Sequence, residues 1–256
     1  MQVNFGAGFA FAERIDTTGT GIGPRMFSIL HDFNMDADFT TKPLRGQYQM
    51  SLAIARGEVK FAGKLSFPAS QARLWSDIVF GVTPATGQLL AALDEAGTVP
   101  TTPFQITVTN AATFSDDLGV RYADGSGLFN RVTTPTAAGE YSVNLSTGIY
   151  TFGTADGGKA VLLCYLYNNT TTGLKSTLTN QLSGTTPYFK LTYANPVSPG
   201  PPGGGSQASP FGLRLNACSA SKLSMPFKID EFLVQQLDYE AFADASNIVG
   251  YMSSVL

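Results

Sequence analysis

The sequence predicts a mainly β protein, and three observations carry that expectation. Residues 27–39 keep a strict period of two. Phe27, Ile29, His31, Phe33, Met35, Ala37 and Phe39 share one face, and Ser28, Asp32, Asn34, Asp36, Asp38 and Thr40 make most of the other, which only Leu30 breaks. A second alternation sets Val59, Phe61, Gly63, Leu65 and Phe67 against Glu58, Lys60, Ala62, Lys64 and Ser66. The remainder is rich in Gly, Thr and Ser, with few runs that hold a helical period. At about 3.4 Å per residue the first stretch spans roughly 44 Å, near twice an ordinary strand. A strand that long suits a wall or a tube better than a compact pocket.

In chain order, residues 1–25 hold scattered glycines with little periodicity and read as an arm or loop, closed by Pro24. The long strands then flank a connection, TKPLRGQYQMSLAIARG (41–57), that is too long for a hairpin turn. After Pro68 the period changes: Leu74, Trp75, Ile78 and Val79 fall on one helical face, which predicts one short helix over about 69–80, packed on the sheet by Trp75. Residues 81–103 read as a Pro, Thr and Gly connection with a helical turn at Gln88–Glu95. From Phe104 the strand signals return as FQITVT, EYSVNL, GIYTF, KAVLLCYLY, GLKSTLTNQL and TPYFKLTYAN. SPGPPGGGSQASP (198–210) forms neither helix nor central strand and reads as a flexible, exposed loop. FGLRLN and KIDEFLVQQLDYEAF follow as strands, the second with a bulge near Gln235 and Gln236. The last residues read as a polar and apolar tail.

Composition excludes several functions. Charged residues are 14% and the formal net charge is -3, which lacks the basic excess of a protein that grips nucleic acid. The lone histidine, His31, sits on the apolar strand face and reads as a packing residue, so acid–base and His-metal chemistry lack their usual side chain. Asp32, Asp36 and Asp38 lack the loop and terminal Glu of a calcium site. GTGIG (19–23) neither follows a strand nor opens a helix, which makes it a poor phosphate cradle. Asp94 with Glu95, and Asp116 with Asp117, read as solvated turn residues, and the sequons at Asn144, Asn168 and Asn169 as chance matches in a Thr-rich chain. Cys164, inside an apolar run, reads as a buried small hydrophobe; a bond to Cys218 stays open. No apolar stretch approaches the roughly 20 residues that span a bilayer, and the amino terminus lacks a signal-peptide pattern. No enzyme activity, cofactor or metal is implied. A soluble protein made in a cytoplasm is expected.

If the long strands pair antiparallel with Asp38 opposite Glu58, Asp36 meets Lys60 and Asp32 meets Lys64, each opposite-charge rung worth about 0.2 to 1 kcal/mol. The connection would then expose Leu44, Tyr48, Met50, Leu52 and Ile54, a patch that needs a partner unless it folds back on the core. Open sheet edges need covering as well, and a closed ring of identical subunits would supply it.

The run PLRGQYQMSLAIARGEVKFAGKLSF, the helix ending in WSDIVFG, TNQLSGTTPYFKLTY and the closing SKLSMPFKIDEFLVQQLDYEAFADASN resemble the major tail tube proteins of long-tailed bacteriophages. The resemblance implies a β-sandwich or half-barrel with one flanking helix and a long protruding loop (41–56). Residues 1–103 and 159–256 would form the tail tube core, and 104–158 a β elaboration that not every such subunit carries. Six copies would form a ring, and rings would stack into a hollow tube for double-stranded DNA. Leu44, Tyr48, Met50, Leu52 and Ile54 would make the ring-stacking contacts. Asp32, Asn34, Asp36, Asp38, Glu58, Lys60 and Lys64 would line the lumen. Implied partners are further copies of the chain, the tape measure, tail tip and tail terminator proteins, and DNA in transient passage, with no membrane insertion. The implied location is the virion tail, after assembly in the host bacterial cytoplasm. Another virion β protein, such as a head decoration or tail tip subunit, is the alternative. An extracellular carbohydrate-binding module fits less well, because Trp75 on a helix makes a poor aromatic platform.

Overall fold

The structure is a computed structural model and describes residues 8–15, 23–27, 30–68, 72–195 and 211–254. Strands β1 (Phe9–Arg14), β2 (Arg25–Phe27), β3 (Asp32–Arg45) and β4 (Ser51–Phe67) precede a short helix, α1 (Ala72–Trp75), which runs on as a π turn, Ser76–Phe80. Strands β5 (Ala85–Thr98), β6 (Gln105–Thr107), β7 (Phe114–Tyr122), β8 (Asn130–Arg131), β9 (Glu140–Asn144), β10 (Ile149–Phe152) and β11 (Ala160–Lys175) follow. The chain continues through β12 (Tyr188–Asn195), β13 (Phe211–Ser224), β14 (Gln235–Phe242) and β15 (Gly250–Ser254). The protein is mainly β with one short helix, as expected. Residues 19–22 of GTGIG and the loop 198–210 lie outside the described residues.

Two compact units divide the chain: Met1–Pro84 with Ser176–Leu256, and Ala85–Lys175. The inserted unit is therefore larger than the expected 104–158. β5 and β11 pair with each other from Thr98 and Ala160 down to Ala85 and Lys175, so the chain enters and leaves this unit on neighbouring strands. The helical turn expected at Gln88–Glu95 is part of β5, because ladder pairing to β11 outweighs the helix preference of its Leu and Ala residues.

The first unit is one antiparallel sheet in the order β2-β1-β12-β13-β14-β4-β3, with β15 paired to the first half of β13 while β14 pairs with the second half. This sheet curls. Phe33 of β3 stacks on Tyr193 of β12 with ring centroids 4.0 Å apart, whereas four strand spacings of about 4.8 Å would hold flat neighbours roughly 19 Å apart. At the other edge, Phe27 of β2 meets Phe67 of β4 edge-on at 5.0 Å. The concave side holds the core: Ala10, Leu65, Phe67, Phe189, Leu191, Leu213, Leu215, Leu237 and Tyr239 all come from alternating positions. As predicted, α1 packs on this sheet through Trp75, which stacks on Phe67 at 5.2 Å.

Several expectations on this unit are corrected. The segment expected as an arm carries β1, which pairs antiparallel with β12 and buries Ala10 and Ala12 in the core. His31 is exposed, and Leu30 takes the buried place. The period breaks there, so β3 starts at Asp32, and the His31 N–H donates to the Ser66 carbonyl at 2.8 Å. Residues 176–182 and 228–234 are not strands, whereas the tail supplies β15. The bulge expected at Gln235 and Gln236 lies across the ladder instead: β14 pairs with β4 without a break, and Ser221 is the extra residue on β13.

The second unit packs a three-stranded sheet, β5-β11-β7, and a four-stranded sheet, β6-β10-β9-β8, around Val120, Tyr141, Tyr150, Phe152, Leu163 and Tyr165. Of the acids expected as solvated turn residues, Asp94 and Asp116 are exposed but lie on β5 and β7, whereas Glu95 and Asp117 are drawn into the interior. Asp117, whose side chain is almost fully buried, accepts hydrogen bonds from the hydroxyls of Tyr141 at 2.8 Å and Tyr150 at 2.9 Å. Asp156 accepts from Tyr122 at 2.8 Å, and Glu95 from Tyr165 at 2.5 Å. Asp94 takes a two-armed bond from Arg121 at 2.7 and 3.0 Å. Buried tyrosines bring a hydroxyl that must be paired, and the acidic residues supply the acceptors.

Candidate functional site

β3 and β4 form one long hairpin that outruns the sheet. β14 pairs with β4 only from Phe67 to Ala241 opposite Phe61, and the two strands continue alone to a short turn at 46–50. The connection expected as a loop over 41–56 is thus mostly strand. From Lys60 to Ser51, at about 3.4 Å per residue, the free ladder projects roughly 30 Å. A two-stranded ladder in water is marginal by itself, and this one leaves Leu44, Tyr48, Met50, Leu52 and Ile54 exposed, Met50 at 83%. The five residues predicted to make stacking contacts therefore lie together on the outer hairpin.

An apolar stripe runs from the core onto this hairpin. Phe33, Met35, Phe39 and Pro43 lie on one face of β3, with Phe61 and Val59 opposite on β4. Beyond Val59 the apolar positions of β4 switch from odd to even numbers, and a bulge absorbs the switch: Gly57 and Glu58 together oppose Thr40, which brings Arg56 and Ile54 onto the stripe. The Thr40 hydroxyl donates to the Glu58 carbonyl at 3.2 Å, and the Arg56 guanidinium lies 4.5 Å over the Phe39 ring. Alternation predicted Leu52 and Ile54, but not their continuity with Phe39, Pro43 and Val59, which depends on the bulge. Charge is uneven along the hairpin: residues 41–57 hold Lys42, Arg45 and Arg56 and no acid.

The opposite face of β3 and β4 carries the residues predicted to line a lumen. Asp32, Asn34, Asp36, Asp38, Glu58, Lys60 and Lys64 are all exposed on it. The predicted register is wrong by two. Asp38 faces Lys60, Asp36 faces Ala62 and Asp32 faces Ser66, with Lys64 opposite Asn34. The register shift between Leu44 and Arg45 and the bulge at Gly57–Glu58 each add one residue to β4. Two added residues restore the parity, so the shared face holds while the partners change. Lys60 bonds Glu240 of β14 at 2.7 Å, and that bond, followed by the charge of Glu240, raises the lysine above its ordinary range. β14 extends the face with Gln236, Asp238 and Glu240, opposite Ser66, Lys64 and Ala62.

Among the described residues no cluster of three or more His, Cys, Asp or Glu is arranged to hold a metal ion, and no helix is long and apolar enough to cross a membrane. Cys164 and Cys218 are free thiols. Cys164 is half-buried, with its sulfur 3.5 Å from the Asp94 carboxylate, whereas burial pushes the Cys218 thiol up to about 12. Sequence reasoning also missed a second exposed apolar group, Phe227, Ile229 and Phe232 on the β13–β14 connection, because its alternation reads as strand. Pro226 beside it was the signal available. Compared with known proteins, the sequence matches no family model and no curated protein.

Proposed function

We propose that this chain is a structural subunit of a long-tailed bacteriophage tail tube, without enzymatic activity, that forms six-membered rings stacked into a tube for double-stranded DNA. The observation that carries the reading is the projecting hairpin, which leads the core's apolar face outward and leaves Leu44, Tyr48, Met50, Leu52 and Ile54 uncovered by any of the described residues. An exposed apolar surface of this kind marks a place where a partner binds. A curled sheet whose outer strands among the described residues are β2 and β3 is suited to lateral joining with further copies. The polar face fits a conduit. Its lysines stand among carboxylates, so it offers phosphates no cationic track to hold them. On this reading the protein works in the virion tail after assembly in the host cytoplasm, alongside tape measure, tail tip and tail terminator proteins.

Electron microscopy of the purified protein tests the reading. Sixfold rings or tubes with a central hole are expected. Compact monomers or trimers at every concentration would refute it and favour a head decoration or tail tip subunit. Replacing residues 44–54 by a Gly/Ser linker should leave folded subunits that no longer stack.

A further inference from the structure

Two of the exposed apolar groups of the first unit, the hairpin tip and Phe227, Ile229 and Phe232, lie at opposite ends of β4. The hairpin tip adjoins Ser51, and the β13–β14 connection (225–234) leads into Gln235, the partner of Phe67. From Ser51 to Phe67 the strand is roughly 54 Å long at about 3.4 Å per residue, so the tip of one copy cannot reach the connection of the same copy.

The two ends are complementary. The tip is apolar and basic, with Tyr48, Met50, Lys42 and Arg45 and no acidic residue in 41–57. The connection is apolar and acidic: Phe232 is 94% exposed and Ile229 90%, and Asp230 and Glu231 outnumber Lys228, which bonds Glu231 at 2.9 Å. Asp32 stands at the same end, opposite Ser66. A tight turn shapes the connection, with Asp230 in the left-handed region at φ 62, and both of its ends are tied into paired strands. It is a short, anchored platform.

We infer that the hairpin tip of one copy docks on the Phe227–Phe232 platform of the next. The inference rests on the stacking reading of the hairpin and supplies the receiving surface. The contact joins different patches, so it is heterologous and repeats head to tail along β4. Aliphatic and thioether groups of the tip cover the two phenylalanines, and Arg45 and Lys42 face Asp230.

Complementation by two variants tests this. One carries the Gly/Ser linker at 44–54 and lacks the tip; the other carries Phe227→Ser, Ile229→Ser and Phe232→Ser and lacks the platform. Thermal melting should show both folded, since the altered side chains are exposed. Neither alone should form stacks in sedimentation velocity or electron microscopy. An equimolar mixture should form complexes limited to two layers, because the intact platform of the first receives the intact tip of the second. Charge reversal adds a second readout: Arg45→Glu should weaken stacking about tenfold or more, a loss of about 1.4 kcal/mol, and Asp230→Lys should restore part of it. If the platform variant stacks like the unaltered protein, or the mixture stays unassociated, the inference is overturned while the tube reading stands. If the unaltered protein never associates, both fall.

Discussion

Replacing Leu52 and Ile54 by serine separates a role in folding from a role in assembly. Each is 69% exposed in the subunit. Full burial of such a side chain stabilises by about 1.5 to 3 kcal/mol, so a neighbour that covers the remaining surface gains about 1 to 2 kcal/mol from each. The pair then contributes about 2 to 4 kcal/mol per contact, or roughly 30- to 700-fold in association at 1.4 kcal/mol per decade. Within the subunit the same change removes little packing and should shift folding stability by less than about 0.5 kcal/mol. Light scattering against protein concentration reads the first quantity, and chemical denaturation under non-associating conditions reads the second. The reasoning fails if assembly is unchanged, or if folding stability falls by the full 2 to 4 kcal/mol, which would make the two residues part of the subunit's own core.

Further predictions concern the interior. Asp117→Ala strips the Tyr141 and Tyr150 hydroxyls of their acceptor and should destabilise the 85–175 unit by about 2 to 5 kcal/mol in denaturant unfolding; a loss below about 0.5 kcal/mol would show the bonds to be idle. Burial foremost holds the hydroxyls of Tyr122, Tyr141, Tyr150 and Tyr165 above the usual tyrosine range, Tyr122 at about 12. Their folded values exceed the unfolded value near 10, so this stability is complete below about pH 10 and disappears as pH rises through the folded values. Thermal melts should therefore drop steeply above about pH 10, and full phenolate formation in a still-folded protein at that pH would contradict the burial. Gly63→Ala would put a methyl 2.3 Å from the Asn34 carbonyl oxygen and 2.5 Å from the Tyr239 hydroxyl. Separating β3 from β4 in this way should cost about 3 kcal/mol, and an unchanged denaturation midpoint would show that the strands give way freely.

The polar face of the long strands was legible because a period of two states which residues share a side, whatever they pair with. Register was not, because it depends on where a ladder gains residues, and Gly57 in a run of good strand formers announces a bulge only weakly. His31 shows the same limit: alternation put it inside, yet Leu30 on the other parity has more to gain from burial and takes the place. β5 reads as helix because Leu89, Leu90, Ala91, Ala92 and Leu93 favour one, and only the distant β11 supplies the ladder that decides otherwise. Distant partners also explain the misread acids. Nothing local marks Asp117 as the acceptor for tyrosines 24 and 33 residues further on.

The two units arrange polar and apolar residues differently. In 85–175, the tyrosines of the core point in, their hydroxyls meet Asp117, Asp156 and Glu95, and two sheets pack around them. In the other unit, alternation continues past the last residue the core can reach. β4 stays apolar on one side through Val59, accommodates an extra residue, and resumes with Ile54 on that same side. A bulge that restores phase on a stretch with no core beneath it does nothing for the isolated subunit. It fits a surface shaped to meet another, and under the proposed stacking the acidic platform at the far end of the same strand would receive it in the next copy.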